Sequence, residues 1–258
     1  MIDVNAFLGH YPFRQLRFRD ARGMLAVMDE HGVQAAATAS LHAVFYRDVQ
    51  RGNEELFDEV RLAPERIVPI AAVNPMYAGW QRDLQASIEQ GARGIVLWPE
   101  HHGFQLDSAE ARGAVEQIVA ADLPLVLYQR LEDRRQRHAW DQAEDLKFAD
   151  VASLAQAYPK LRIVLSNWGR LQGEELLSAG LRSRCLIDFT RLHVVLYKEV
   201  PKLIEAVGVQ ALAFGSHMPF DYLGPSLVKL ANLQQLPKSD YERIARRNAA
   251  EFFGLPGS

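Results

Sequence analysis

The stretch "PERIVPIAAVNPMYAGWQRDLQASIEQGARGIVLWPE", Pro64 to Glu100, holds one complete unit of the pattern that decides the fold. It begins with a short apolar run, Arg66 to Val73, that stops at Asn74 and Pro75. An amphipathic helical segment, "WQRDLQASIEQG", follows, and then a second apolar run, "RGIVLW". Strands that read as nearly continuous apolar runs, each followed by a helix, belong to a parallel sheet covered on both faces.

Working outward, the same unit recurs. Eight short apolar runs are present: "IDVNAF", "AAATAS", "RIVPIAAV", "RGIVLW", "LPLVLY", "LRIVLS", "CLIDFT" and "ALAFGS". Segments with helical spacing lie between them. In "DARGMLAVMDEHG", Met24, Leu25 and Met28 share a stripe and Gly32 stops the helix. In "NEELFDEVRLAPE", Asn53 is the expected N-cap and Pro64 marks the far limit. Eight strand-helix units predict a single-domain α/β protein, a (β/α)8 TIM barrel over 1–258, with the last helices, 225–254, packed on the outside. An open doubly wound sheet is the alternative, because strand order is not written in the sequence.

Composition narrows the partners. The chain is 48% hydrophobic and 24% charged with a net charge of -3, which gives no footprint for nucleic acid. No segment approaches the apolar length of a membrane span, and no basic stretch followed by an apolar run opens the chain. The expectation is a cytoplasmic protein with a small-molecule substrate, no nucleic acid and no membrane partner. Phe252 and Phe253 on the terminal helices are expected to be exposed, which leaves a homodimer open. The lone Cys185 starts a strand, so it belongs at the bottom of the barrel, far from any chemistry.

In a (β/α)8 barrel the loops after the strands build the site. The strand ends here carry Asn5, Phe7 and His10; Ser40 and His42; Trp98, Glu100, His101 and His102; Tyr128 and Arg130; Asn167 and Trp168; Asp188, Arg191 and His193; and Ser216, His217 and Asp221. Six of the eight histidines fall in these loops, as acid-base or metal chemistry would require, although polar loops collect histidine for ordinary reasons of solvation. Asp188 sits in an apolar run and must be paired or protonated. Arg14 and Arg130 could clamp a substrate carboxylate. Trp98 and Trp168 suit a ligand containing a ring, or simply the upper core. The run "QRLEDRRQRHAWDQAED" reads as a solvated loop of mixed charge.

Seven blocks in order, "IDVNAFLG", "PERIVPIAAVNP", "GARGIVLWP", "DLPLVLYQ", "YPKLRIVLSNWG", "ALAFGSHMPF" and "RRNAAEFFGL", resemble the amidohydrolase-related (amidohydrolase 2) family. The resemblance implies metal-dependent hydrolases and decarboxylases on a (β/α)8 barrel. It also implies a His-x-His pair after the first strand, a His closing strands 5 and 6, and an Asp in the strand 8 block. Here those places hold Asn5 and Phe7, Tyr128, Asn167 and His217. Neutral amides and a phenyl ring are poor substitutes for imidazole donors, so no metal and no cofactor are expected.

What the resemblance leaves is a metal-independent enzyme acting on a small carboxylated or cyclic substrate by lactone, ester or amide hydrolysis, or a related lyase or isomerase step. His217 would be its general base, with Asp221 to orient it. Tyr128 and Asp188 are the other catalytic candidates. Asn5, His10, Arg14, Trp98, Arg130, Asn167 and Trp168 are the substrate-binding ones. Two alternatives stand beside this reading: an inactive binding protein with its pocket plugged by Phe7, and a metal site rebuilt from His217 with His10, His101 or His193.

Overall fold

Eight strands, β1 (Ile2–Leu8), β2 (Ala35–Ser40), β3 (Ile67–Ala72), β4 (Gly94–Val96), β5 (Leu125–Tyr128), β6 (Ile163–Ser166), β7 (Cys185–Asp188) and β8 (Leu212–Ala213), form one sheet in chain order. This is seen in a computed structural model that describes residues 1–192, 199–233 and 235–255. Every neighbouring pair is parallel. The ring closes where Val4 N donates to Phe214 O (3.0 Å), Phe7 N to Met218 O (2.9 Å) and His217 N to Asn5 O (2.8 Å). Along β1 the register against β2 shifts between Asp3 and Ala6. The result is a (β/α)8 barrel, and closure leaves no open edge among the eight strands.

The helices around it are α1 (Ala21–His31), α2 (Leu41–Phe45), α3 (Val49–Val60), α4 (Trp80–Glu89), α5 (Pro99–His102), α6 (Ala109–Ala120), α7 (Phe148–Ala157), α8 (Gly173–Ser178), α9 (Glu199–Val207), α10 (Leu223–Ala231), α11 (Lys238–Glu242) and α12 (Asn248–Phe253). Met24 and Met28 of α1 are buried, as their stripe requires, and Gly32 ends the helix at φ 69°. Side chains that face the helices (Ala36, Ile67, Ile95, Leu127, Ile163, Ile187) form one core layer. Alternate positions (Ala37, Val68, Val96, Val126, Val164, Leu186) form a second layer together with Phe7, Trp98 and Tyr128.

Three sequence expectations are corrected. Asn53 does not cap α3, which starts one turn earlier behind Asp48, whose carboxylate accepts Gln50 N (3.2 Å). Instead Asn53 is buried mid-helix, donating from Nδ2 to Ala72 O (2.8 Å) and accepting Ala72 N on Oδ1 (2.8 Å). It satisfies both backbone groups at the end of β3. His42, His101 and His102 lie on the short helices α2 and α5, not on open loops. Ser40 starts α2 by accepting Ala43 N (3.2 Å), and Pro99 supplies the fixed φ that opens α5. Finally, Phe253 is buried with Ile2 and Val68, and Phe252 is half-buried beneath the Arg162 guanidinium (5.4 Å), so neither offers an open dimer face.

Cys185 opens β7, and burial pushes its thiol up to about 12. Among the described residues no helix is long and apolar enough to cross a membrane.

Replacing Asn53 with Ala strands the Ala72 N–H and C=O in an apolar setting. A loss of about 2–4 kcal/mol in urea-unfolding free energy is expected, with no change in secondary structure by circular dichroism.

Candidate functional site at the top of the barrel

Asp188 ends β7 fully buried, and the lack of water there dictates its surroundings. Its Oδ2 accepts Asn5 Nδ2 (3.0 Å) and the backbone N of Asn167 (3.0 Å), while Oδ1 accepts Thr190 N (2.8 Å). Asn5 Nδ2 also donates to Asn167 Oδ1 (3.0 Å), and Asn167 Nδ2 donates to Arg130 O (3.1 Å). A carboxylate only accepts, so the nitrogen of Asn5 must face it. Asn167 holds a left-handed φ of 60°, which Asn tolerates better than most residues, and that turn aims its backbone N–H at Asp188. Asn5, Asn167 and Asp188 are thus brought together from β1, the end of β6 and β7.

A second buried carboxylate lies beside them. Asp3 accepts Asn5 N (2.9 Å) and Ser216 N (3.0 Å) on Oδ1, and pairs through Oδ2 with the Ser216 hydroxyl. Burial outweighs those hydrogen bonds, and with Asp188 nearby it raises the Asp3 pKa to about 7.

Phe7 is fully buried and roofs this network. Its ring centroid lies 5.2 Å from Tyr128, 6.2 Å from Trp98, 5.6 Å from His217 and 5.7 Å from Phe220. Tyr128 stacks on Trp98 at 4.7 Å, and burial holds its phenol well above the usual range, hence neutral. His217 is also fully buried, in a left-handed conformation (φ 60°), and stacks on Phe220 at 4.8 Å. Its Nδ1 stands 2.9 Å from Asp221 Oδ2, and its Nε2 is buried with no hydrogen-bond partner. Burial opposes ionisation of Asp221, yet the His217 contact and Arg191 at 3.0 Å hold its carboxyl below the usual range.

The remaining candidates lie further out. Arg14 pairs with Glu132 through Nε (3.0 Å) and Nη2 (2.6 Å). Arg130 is tied to Asp145 (2.7 Å) and Gln129 (3.0 Å). His10 is exposed, its Nε2 2.9 Å from Arg19, and Trp168 packs edge-on against Phe148 at 5.8 Å with its Nε1 unpartnered. His193 lies outside the described residues. The sequence reading missed Glu132, which is buried and receives Tyr11 Oη (2.7 Å) as well as Arg14. It also missed Lys229, whose ammonium donates to the carbonyls of Phe189 (2.9 Å) and Thr190 just past β7; burial lowers its pKa to about 8.

A family model described as amidohydrolase matches residues 3–255, nearly the whole chain. The chain belongs to the amidohydrolase family. Solved structures repeat this amidohydrolase barrel at low identity. 5-Carboxyvanillate decarboxylase from Sphingomonas paucimobilis shares 15% identity over 98% of both chains, at a TM-score of 0.76. A dihydroxybenzoic acid decarboxylase from Polaromonas, with bound manganese and the inhibitor 2-nitroresorcinol, shares 17% over 100% of this chain and 97% of its own, at 0.74. A probable 2-pyrone-4,6-dicarboxylic acid hydrolase from Acinetobacter baumannii, with citric acid bound, shares 15% over 98% of both, at 0.69. No curated protein sequence gives a significant match.

Those relatives raise the question of whether this amidohydrolase's residues fit a divalent ion. They do not. Asp188 already receives three N–H donors, Asn5 turns its amide nitrogen toward it, and Phe7, buried against Tyr128 and His217, brings a ring without a donor. Manganese or zinc needs several oxygen or imidazole lone pairs converging at about 2 Å. Among the described residues no three His, Cys, Asp or Glu side chains form such a group.

The raised pKa of Asp3 has a signed consequence. The protonated form is favoured on folding, so its contribution is complete below the unfolded value near 4 and is lost as pH rises toward 7. Asp3→Asn, which mimics the protonated acid, is expected to gain on the native protein as pH rises from 4.5 to 7.5, measured as the difference in urea midpoints. A constant difference across that range would remove the assignment.

Proposed function

We propose that this amidohydrolase-family chain works without a divalent metal, as a binding protein for a small carboxylated molecule held at the mouth of the barrel. One observation carries the reading: Asn5 Nδ2 bridges Asn167 Oδ1 and Asp188 Oδ2, both at 3.0 Å, beneath the buried ring of Phe7. Groups so paired hold three strand ends together; the Asn5 Oδ1 beside them is buried without a partner, but one neutral amide oxygen does not make the converging donor set an ion needs. The centre is therefore a structural node, and ligand contact moves outward.

Just outside the node, Trp98 Nε1 and Arg130 Nε are buried and without a hydrogen-bond partner, while His101 Nε2 stands 3.5 Å from Asp141 Oδ1. All three residues line one small cavity of about 10 Å³, whose wall also includes Tyr128, Leu131 and the acids Glu100 and Glu144. That volume admits about one oxygen atom. Buried donors left unmade are costly, and an incoming carboxylate oxygen would satisfy them. A carboxylated ligand is in keeping with a relative crystallised with 2,6-dihydroxybenzoate and another with citric acid.

A second reading is favoured by one geometric fact. His217, oriented by Asp221 at 2.9 Å, leaves Nε2 without a partner. An imidazole so held could take the proton of an attacking water in metal-free hydrolysis, with Tyr128 as a neutral hydrogen-bond donor to the developing oxyanion.

Chelator-treated protein titrated with benzoate and 2,6-dihydroxybenzoate is expected to show a saturable rise in Tm that added manganese does not enhance. Trp98→Phe, which deletes one N–H and keeps a ring, should weaken that binding about tenfold. Binding that appears only with manganese would contradict the proposal. Metal-free lactone or ester turnover that is abolished in a folded His217→Gln variant would favour the second reading.

A further inference from the structure

The segment from Gly9 to Arg22 carries Arg14, Arg17, Arg19 and Arg22 in a chain whose net charge is -3. It folds back on itself: Gly9 N donates to Arg19 O (2.7 Å) and His10 N to His42 Nε2 (2.8 Å). Tyr11 and Arg14 are both anchored on the buried Glu132. These ties at both ends and in the middle make the loop a fixed frame. Inside it lies an open groove of about 910 Å³, lined by all four arginines, and none of its lining residues borders the Trp98 cavity.

The charge in the groove is unbalanced. Arg14 is matched by Glu132, and Arg17 has the exposed Glu30 at 3.4 Å. Asp20 is the acid lining the groove, but its carboxylate caps α1 by accepting Gly23 N (2.9 Å). Arg19 meets the His10 ring at 2.9 Å, and neither Arg19 nor Arg22 has a carboxylate partner among the described residues. Arg19 also borders a smaller cavity of about 230 Å³ whose acids are committed, Glu55 to His42 and Glu59 to Ala21 N (2.7 Å).

Arg22 stands in the first turn of α1, just after the Asp20 N-cap, and is exposed. A fixed loop that lines one groove with four arginines, two of them without a carboxylate partner among the described residues, is suited to a compact anion.

We propose that this groove binds a small polyanion bearing two or more carboxylate or phosphate groups, with Arg19 and Arg22 as its principal contacts and Arg17 at the rim. The probes are citrate and pyrophosphate, with acetate as the singly charged control, followed by isothermal titration calorimetry on the full chain. At least one polyanion should bind saturably, acetate should not, and affinity should fall steeply in 0.5 M NaCl. Citrate preferred over pyrophosphate identifies the carboxylate source, and the reverse identifies phosphate. Arg19→Gln combined with Arg22→Gln should weaken binding by about tenfold or more, while Arg112→Gln, exposed on α6 and not lining the groove, should leave it unchanged. Both altered side chains are exposed, and thermal melting verifies that the variant folds. Equal binding by wild type and the double variant, or no saturable binding of either polyanion, would overturn the proposal. Benzoate binding that depends on Trp98 is read separately, so either result stands without the other.

Discussion

A carboxylate shut away from water must be surrounded by donors, and the top of this barrel is arranged around that demand at Asp188. Its two oxygens take N–H groups from Asn5, Asn167 and Thr190, which lie on β1, past β6 and past β7. The side chain therefore ties the first strand to the sixth and seventh across the barrel's width. Lys229 of α10 reaches in behind it and holds the carbonyls of Phe189 and Thr190. Each of these bonds is worth only about 1–3 kcal/mol, but losing one leaves the partner unsatisfied, so the set stands or falls together.

Chemistry follows from the same constraint. Under the proposed reading, a carboxylate that already receives three N–H donors is engaged in holding strands together and is poorly placed to build a metal site. Phe7 completes the change, since a phenyl ring carries no donor and its volume packs against Tyr128, Trp98, His217 and Phe220. The barrel resembles a manganese-bearing decarboxylase in its backbone at 17% identity, while its interior holds a polar network beside packed aromatic rings. The proposed contacts accordingly lie at the rim, at the unpartnered Trp98 Nε1 and Arg130 Nε and in the arginine-lined groove.

Much of the architecture was legible because a buried parallel strand writes itself as a short apolar run: "AAATAS" is β2 to the residue. The last strand was harder; "ALAFGS" pairs only at Leu212 and Ala213 before the chain turns toward β1. Asn53 misled because a good capping residue at the edge of a helical pattern looks the same whether it bonds its own helix or a strand end. At the site, Asn5, Asn167 and Asp188 were visible as polar residues at strand ends, although their mutual bonds were not. Glu132 was hidden in a charge-rich run that reads as solvated, and the contact that buries it, with Tyr11, spans 121 residues. Pairings at such distance are set by the closed barrel and leave no local trace.

The central claim is that the amide-bound Asp188 and the Phe7 roof exclude a dication from the amidohydrolase centre. Metal analysis by inductively coupled plasma mass spectrometry, on protein produced in medium supplemented with manganese and zinc and then gel-filtered without chelator, tests it directly. The account predicts far less than one equivalent of either metal. One equivalent retained through gel filtration, and lost in an Asp188→Asn variant that still folds, would contradict it.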